Sequence, residues 1–148
     1  MSGTWCSTPW LKTTSKESSG QGIDNALPNN LLPNVAASLF TTARDHARFV
    51  AHLLSDDTGR QVLARMTAPV VRMNEALAWG AGVGLEQEAG RTMFWQWGDN
   101  NGFKHFVLGD PAARTAWTVF TNGNGGRNVY ERVLRAATGR DHAAFLWL

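Results

Sequence analysis

TMFWQWGDNNGFKHFVLGDPAARTAWTVFT, residues 92–121, reads as three strands joined by two turns. From Thr92 to Trp97 the residues alternate, with Met93, Trp95 and Trp97 on one face and Phe94 and Gln96 on the other. Asp99 to Gly102 predicts a turn, and Lys104 to Gly109 a second strand. Asp110-Pro111-Ala112-Ala113 predicts a type I turn, with proline in its favoured second place. Thr115 to Thr121 is the third strand, stopped by Asn122-Gly123-Asn124-Gly125-Gly126. Upstream, Trp79 to Leu85 alternates Trp79, Ala81, Val83 and Leu85 with Gly80, Gly82 and Gly84. That pattern predicts a fourth strand with three glycines on one face, a face that something approaches closely. Ala89-Gly90 turns it into the next strand.

Helices flank this four-strand antiparallel meander. Thr42, with Asp45 three residues on, is an N-cap with a capping-box-like start. Ala43, Ala47, Val50, Ala51 and Leu54 then recur at helical spacing, widened by Phe49 and Leu53. A short helix is expected at Asp57 to Met66, with Val62, Leu63 and Met66 inward. A last helix is expected from Asn128 to Ala137, with Val129, Val133, Leu134 and Ala137 inward and Gly139 as C′ glycine. The apolar tail from Ala143 to Leu148 should dock. The sum is an α+β class. Residues 1–37 show no period and are rich in Ser, Thr, Asn, Gly and Pro. They form either a disordered leader or a loop draped over a surface this chain does not contain. Trp5, Trp10, Leu27, Leu31 and Leu32 look like docking residues and favour the loop. Residues 38–148 then form the ordered α+β part.

Composition removes several function classes. Lys plus Arg is 14 against 12 for Asp plus Glu, a net charge of +2 with no basic block, which argues against nucleic acid. A hydrophobic share of 43% is too high for a disordered protein. No apolar run approaches the ~18 residues of a membrane span. Charged residues are 18% while tryptophans number seven, so much surface is expected to pack against something. The N-terminal sequence lacks the order of a signal peptide. As written, the sequence carries a cytoplasmic expectation.

The residues offer no complete catalytic set. Cys6 is the one cysteine and has no histidine near it in sequence. His46 and His52, six apart on a helix, point about 120° away from each other, and no His-Glu-x-x-His occurs, so no metal site is expected. Gly123 to Gly126 precedes a helix but lacks the Lys-Ser or Lys-Thr of a phosphate loop. No serine has a lysine three residues on, so no activated nucleophile is found. What stands out is Phe94-Trp95-Gln96-Trp97-Gly98-Asp99-Asn100-Asn101-Gly102-Phe103. Taken alone it is a buried strand and a tight turn. Its functional reading is a strand edge holding an extended ligand near Gly98, with free N–H groups beyond for a developing oxyanion.

The order ALAWGAGVGLE, FWQWGDNNGFKHF, a proline turn, TVFTNGNGG and a closing helix resembles the C-terminal half of the serine β-lactamase-like hydrolases. Class C β-lactamases, penicillin-binding D-alanyl-D-alanine carboxypeptidases and related esterases share that fold. AASLFTTARDHARFV is similar to a Ser-Leu-x-Thr-Thr-x-x-Asp helix start in the same family. The resemblance covers residues from about 34 to 148 and, more faintly, the leader. Of the family's three motifs, Ser-x-x-Lys is absent here. So is Tyr-x-Asn, since Tyr130 is followed by Glu131-Arg132. Gln96-Trp97-Gly98 stands in place of Lys-Thr-Gly, and the match makes the Asp99 N–H an oxyanion donor.

The resemblance therefore implies a C-terminal fragment of a serine hydrolase. It carries the substrate-lining strand Gln96, Trp97, Gly98 and Asp99, no nucleophile of its own, no cofactor and no metal. Its partners would be a small-molecule acyl substrate in the intact parent, and either the missing N-terminal half or a second copy. The other function class kept open is a non-catalytic binding module that uses exposed aromatics.

Overall fold

The computed structural model describes residues 39–100 and 102–147. The expected leader, its docking residues and Cys6 lie outside the described residues. Helices α1 (Ala43–Ser55) and α2 (Asp57–Met66) come first. Six strands follow: β1 (Val71–Arg72), β2 (Leu77–Trp79), β3 (Gly84–Glu88), β4 (Arg91–Asn100), β5 (Phe103–Asp110) and β6 (Thr115–Thr121). Helix α3 (Gly126–Thr138) and a 3-10 turn at Ala143–Trp147 close the order. The six strands form one sheet in sequence order, antiparallel at every pair. The class is α+β, as expected.

Two layers of helix cover the sheet. Alternation sends Leu85, Phe94 and Val107 to one face, where Val50 and Leu54 of α1 and Leu63 of α2 pack on them. Met93, Trp95, Phe106 and Leu108 point to the other face, under Tyr130 and Leu134 of α3 and Phe145 of the tail. The ring of Trp95 lies nearly parallel to Phe106, centroids 6.2 Å apart. Its indole N–H is buried, with no acceptor among the described residues.

The sheet departs from the expected meander at its start. The expected strand from Trp79 to Leu85 is broken by a reversal at residues 80–83. There the Gly80 N–H donates to the Val83 carbonyl at 2.9 Å, and Gly82 takes φ +83°. The three glycines therefore share no strand face. Close approach still governs two of them. Gly80 sits on the Met66 carbonyl, and Gly84 sits on the Trp95 ring, where a Cβ would collide. Strand β1 is too short to show a period. It pairs because the Asn74 side chain accepts the N–H groups of Ala76 (2.9 Å) and Leu77 (2.8 Å) and reverses the chain. Asp99 and Asn100 belong to β4, not to a turn, because Asp99 pairs with Lys104 and Asn100 with Phe103, and Gly102 takes φ +91°.

Three helix faces also differ from expectation. The cap is as read: Thr42 accepts the Asp45 N–H at 3.1 Å. But α1 buries only Val50, Leu53 and Leu54, leaving Ala43, Ala47, Phe49 and Ala51 exposed. In α2, Leu63 is buried while Val62 is exposed, because Gly59 packs tightly on the His52 carbonyl and sets the rotation. In α3 the inward face is Gly126, Tyr130 and Leu134, not Val129, Val133 and Ala137. Gly126 fits against Thr121 and Lys104 where a larger residue would not, and that contact turns the helix. Gly139 ends it in the left-handed conformation, φ 74°, as expected. In the tail, Ala144 and Phe145 dock but Leu146 stays in solvent.

A buried carboxylate ties the tail to the sheet. Glu86 accepts from His142 Nδ1 (3.0 Å), Arg140 Nη1 (3.2 Å) and the Ala144 N–H (3.1 Å). Burial pushes its pKa up, but the bonds from His142 and Ala144 and the nearby cations outweigh this and hold it below 4.5. On the opposite face, His46 of α1 and His105 of β5 both lie against Phe120, at 5.3 and 4.2 Å between centroids. Burial lowers both from 6.5, and for His46 the nearby His105 adds to it.

Glu86→Ala should destabilise the protein by about 3 kcal/mol or more, since it strands buried partners; urea unfolding measures this. Stability should also fall with acid in two windows. The unfolded chain protonates its histidines near 6.5, above the lowered values of His46 and His105 in the fold, so stability present above that pH is lost below it. A further loss comes as pH falls from 4.5 through the lowered value of Glu86. Thermal midpoints across pH, with His46→Gln and His105→Gln flattening only the upper window, check the assignment.

Candidate active site

The site grows from one mismatch of lengths. Strand β4 has ten residues, and β5 pairs with it to its end, Asn100 opposite Phe103. Strand β3 stops pairing at Gly84 opposite Trp95. Among the described residues, no strand lies beside Gln96 to Asn100 on that side. Antiparallel pairing alternates the direction of the backbone groups along a strand. The β3–β4 hairpin closes at Glu88 opposite Arg91 and the β4–β5 hairpin at Asn100 opposite Phe103. Both loops have two residues, so Glu88 with Arg91 and Asn100 with Phe103 are hydrogen-bonded pairs. Counting from either end gives the same answer. The even-numbered residues of β4 bond to β5, and the N–H and C=O of Trp97 and Asp99 point to the open edge.

All four residues expected at the site sit on this stretch. Gln96 is exposed on the α1–α2 face of the sheet. Trp97 is 40% exposed on the α3 face. Gly98 has open space where a Cβ would stand. Asp99 pairs with Lys104 directly across β5. Nothing in the sequence reading marked Lys104; the signal would have been its position opposite Asp99 in a hairpin with a two-residue loop. His105 is a second neighbour that the sequence did not place here. It lies opposite Gly98, and its Nδ1 accepts the Thr121 N–H at 3.3 Å, which puts the proton of the neutral ring on Nε2. Burial keeps that ring neutral at higher acidity than usual.

Tyr130 does not join them. It is 4% exposed and stacked on Phe106 at 5.1 Å. Burial and, less strongly, the charges of Glu131 and Asp99 raise its pKa above 10.0, while Arg127 opposes them. It is a core side chain held far from ionisation. Among the described residues, no three His, Cys, Asp or Glu side chains group as metal ligands. None of the described helices is long and apolar enough to cross a membrane. What the arrangement can do chemically is hold an extended polar ligand by main-chain bonds, and offer N–H groups to a negative oxygen beside Gly98.

No curated protein and no solved structure matched the chain. A family model described as Beta-lactamase matches residues 7–140, a span that includes every element from α1 to α3. A family model over most of the chain shows that the chain belongs to the Beta-lactamase family, a serine hydrolase-like group.

Proposed function

We propose that this chain is the C-terminal, substrate-lining part of a serine hydrolase, inactive by itself. The acyl group of an ester or amide lies along the open edge of β4, and the Asp99 N–H takes the developing oxyanion. The nucleophile comes from a Ser-x-x-Lys segment outside this sequence. Its serine oxygen attacks the carbonyl carbon and its proton passes through the lysine to the leaving group. Water then breaks the acyl–serine bond. The single observation behind this reading is the five-residue stretch of β4 that β3 leaves uncovered, with the Trp97 and Asp99 backbone groups directed outward. Gln96 carries no charge, and Asp99 already pairs with Lys104. The edge therefore suits neutral acyl groups better than substrates that need a cation for a carboxylate.

One observation favours a second reading, a binding module without catalysis. Trp97, Phe103 and Trp147 are 40%, 45% and 48% exposed. Flat aromatic surface of this kind can stack on a ligand ring.

Exposed to a fluorophosphonate, the chain alone should gain no mass; one adduct per chain on a serine would overturn the proposed division of labour. Gly98→Val should melt like the wild type, because the Cβ position is open and the backbone is not left-handed. It should bind N-acetyl-Ala-Ala-amide at least about tenfold more weakly, read by tryptophan fluorescence, because the branched side chain rises from the α1–α2 face beside the edge and crowds the ligand's side chains there. Unchanged binding would remove Gly98 from the site.

A further inference from the structure

The donor proposed for the oxyanion belongs to a residue of the wrong charge. Asp99 offers its N–H to the open edge of β4, and the same residue bears a carboxylate. Left alone, that carboxylate would repel a negative oxygen arriving at the N–H. Two unit charges about 6 Å apart, at an effective dielectric constant of about 40, change an affinity about tenfold. A site built to receive negative charge needs that repulsion removed.

The fold supplies a counter-charge from the next strand. Asp99 stands opposite Lys104 of β5. Because the even residues of β4 bond to β5, this is a non-hydrogen-bonded pair, the kind whose side chains stand closest. Alternation puts both on the α3 face, with Trp95 and Phe106, and the ammonium and carboxylate form an ion pair. Lys104 is not a loose surface cation, for its side chain is only 22% exposed. Gly126, the first residue of α3, packs directly against the Lys104 Cβ, where a larger residue would collide. The Thr121 hydroxyl donates to the Lys104 carbonyl at 2.7 Å. The Asp99 carboxylate turns toward α3 as well, since its charge helps to raise the pKa of Tyr130. A pair seated this way gives up less freedom on forming than an ordinary surface ion pair.

We infer that Lys104 is a positioning residue for the site: it cancels the Asp99 charge and holds that carboxylate on the α3 face, so that the Asp99 N–H can take a negative oxygen. The inference rests on the reading of the β4 edge given above and adds to it a determinant of charge. With Lys104 in place the pair is neutral. The edge then accepts a neutral carbonyl and also the negative charge that grows on its oxygen as the carbon becomes tetrahedral. Without Lys104 the same edge would hold the neutral carbonyl and turn away the charged one. Lys104 acts through Asp99 and not on the ligand, because its strand lies on the side of β4 away from the open edge.

Two ligands test it on the full 148-residue chain. One is N-acetyl-Ala-Ala-amide. The other is its phosphinate analogue, in which an anionic tetrahedral phosphorus group replaces the inner carbonyl. Tryptophan fluorescence gives both affinities, and the readout is their ratio, which a merely structural role would not move. Lys104→Met keeps the stem against Gly126 and removes the charge. It should cut the phosphinate-to-amide ratio about tenfold at low salt, and by less at about 0.5 M salt, where charges are screened. Asp99→Asn keeps the N–H and should raise the ratio several-fold. The double variant should return to within about twofold of the wild type. Should Lys104→Met fail to fold, Asp99→Asn decides alone. Equal weakening of both ligands by Lys104→Met, a ratio that Asp99→Asn leaves unchanged, or a wild type that binds the amide and not the phosphinate overturns the inference while the edge reading stands. A wild type that binds neither ligand overturns both.

Discussion

The two tight hairpin closures, Glu88 opposite Arg91 and Asn100 opposite Phe103, are the constraint from which the rest follows. Each fixes the register of β4 from one end, and the two agree. Register in an antiparallel sheet sets two things together: which side chains meet each layer of helix, and which backbone groups face each neighbour. A slip of one residue would send Trp95 and Met93 to the α1–α2 face and Phe94 to the other. It would also turn the Trp97 and Asp99 groups inward. The packing of two cores and the direction of the site's donors are thus one decision. Burial of Trp95, Phe106, Leu85 and Leu108 enforces it, since each is almost fully removed from water.

Much of this was legible in the residues. Period-two alternation from Thr92 to Trp97 assigns Met93 and Trp95 to the opposite core from Phe94 without any structure, and Thr115 to Thr121 has the bounds expected of it. The turn at Ala89-Gly90 was equally plain, although Ala89 must take a positive φ of 47° to make it. The family resemblance was carried by the order of motifs, and the family model agrees with it.

What was not legible was rotation and length. A helix with apolar residues on more than half its circumference does not say which third faces the sheet. In α2 and α3 a glycine against a carbonyl or a threonine made that choice, and no periodicity records such a contact. Glycines 80, 82 and 84 kept strict alternation through a reversal, because alternation is silent about φ. The openness of the site lay in the difference between the reach of β3 and that of β5, which no stretch of β4 contains. Gln96 to Asp99 could be named from the sequence as candidates, but their neighbours Lys104 and His105 came into view only once the hairpin was paired.

The Trp95 indole carries a consequence of its own. Its N–H is buried between the sheet and α3, with no acceptor among the described residues. Such a group sacrifices about 1–3 kcal/mol of hydrogen bonding, which the stacked rings around it must offset. It also cannot trade its proton with solvent until the layers part. In a nuclear magnetic resonance spectrum, the Trp97 indole proton, close to water, should vanish quickly in deuterium oxide, while that of Trp95 persists for as long as the fold stays closed. One side chain thereby acts as a built-in clock for the opening of the whole sheet–helix core.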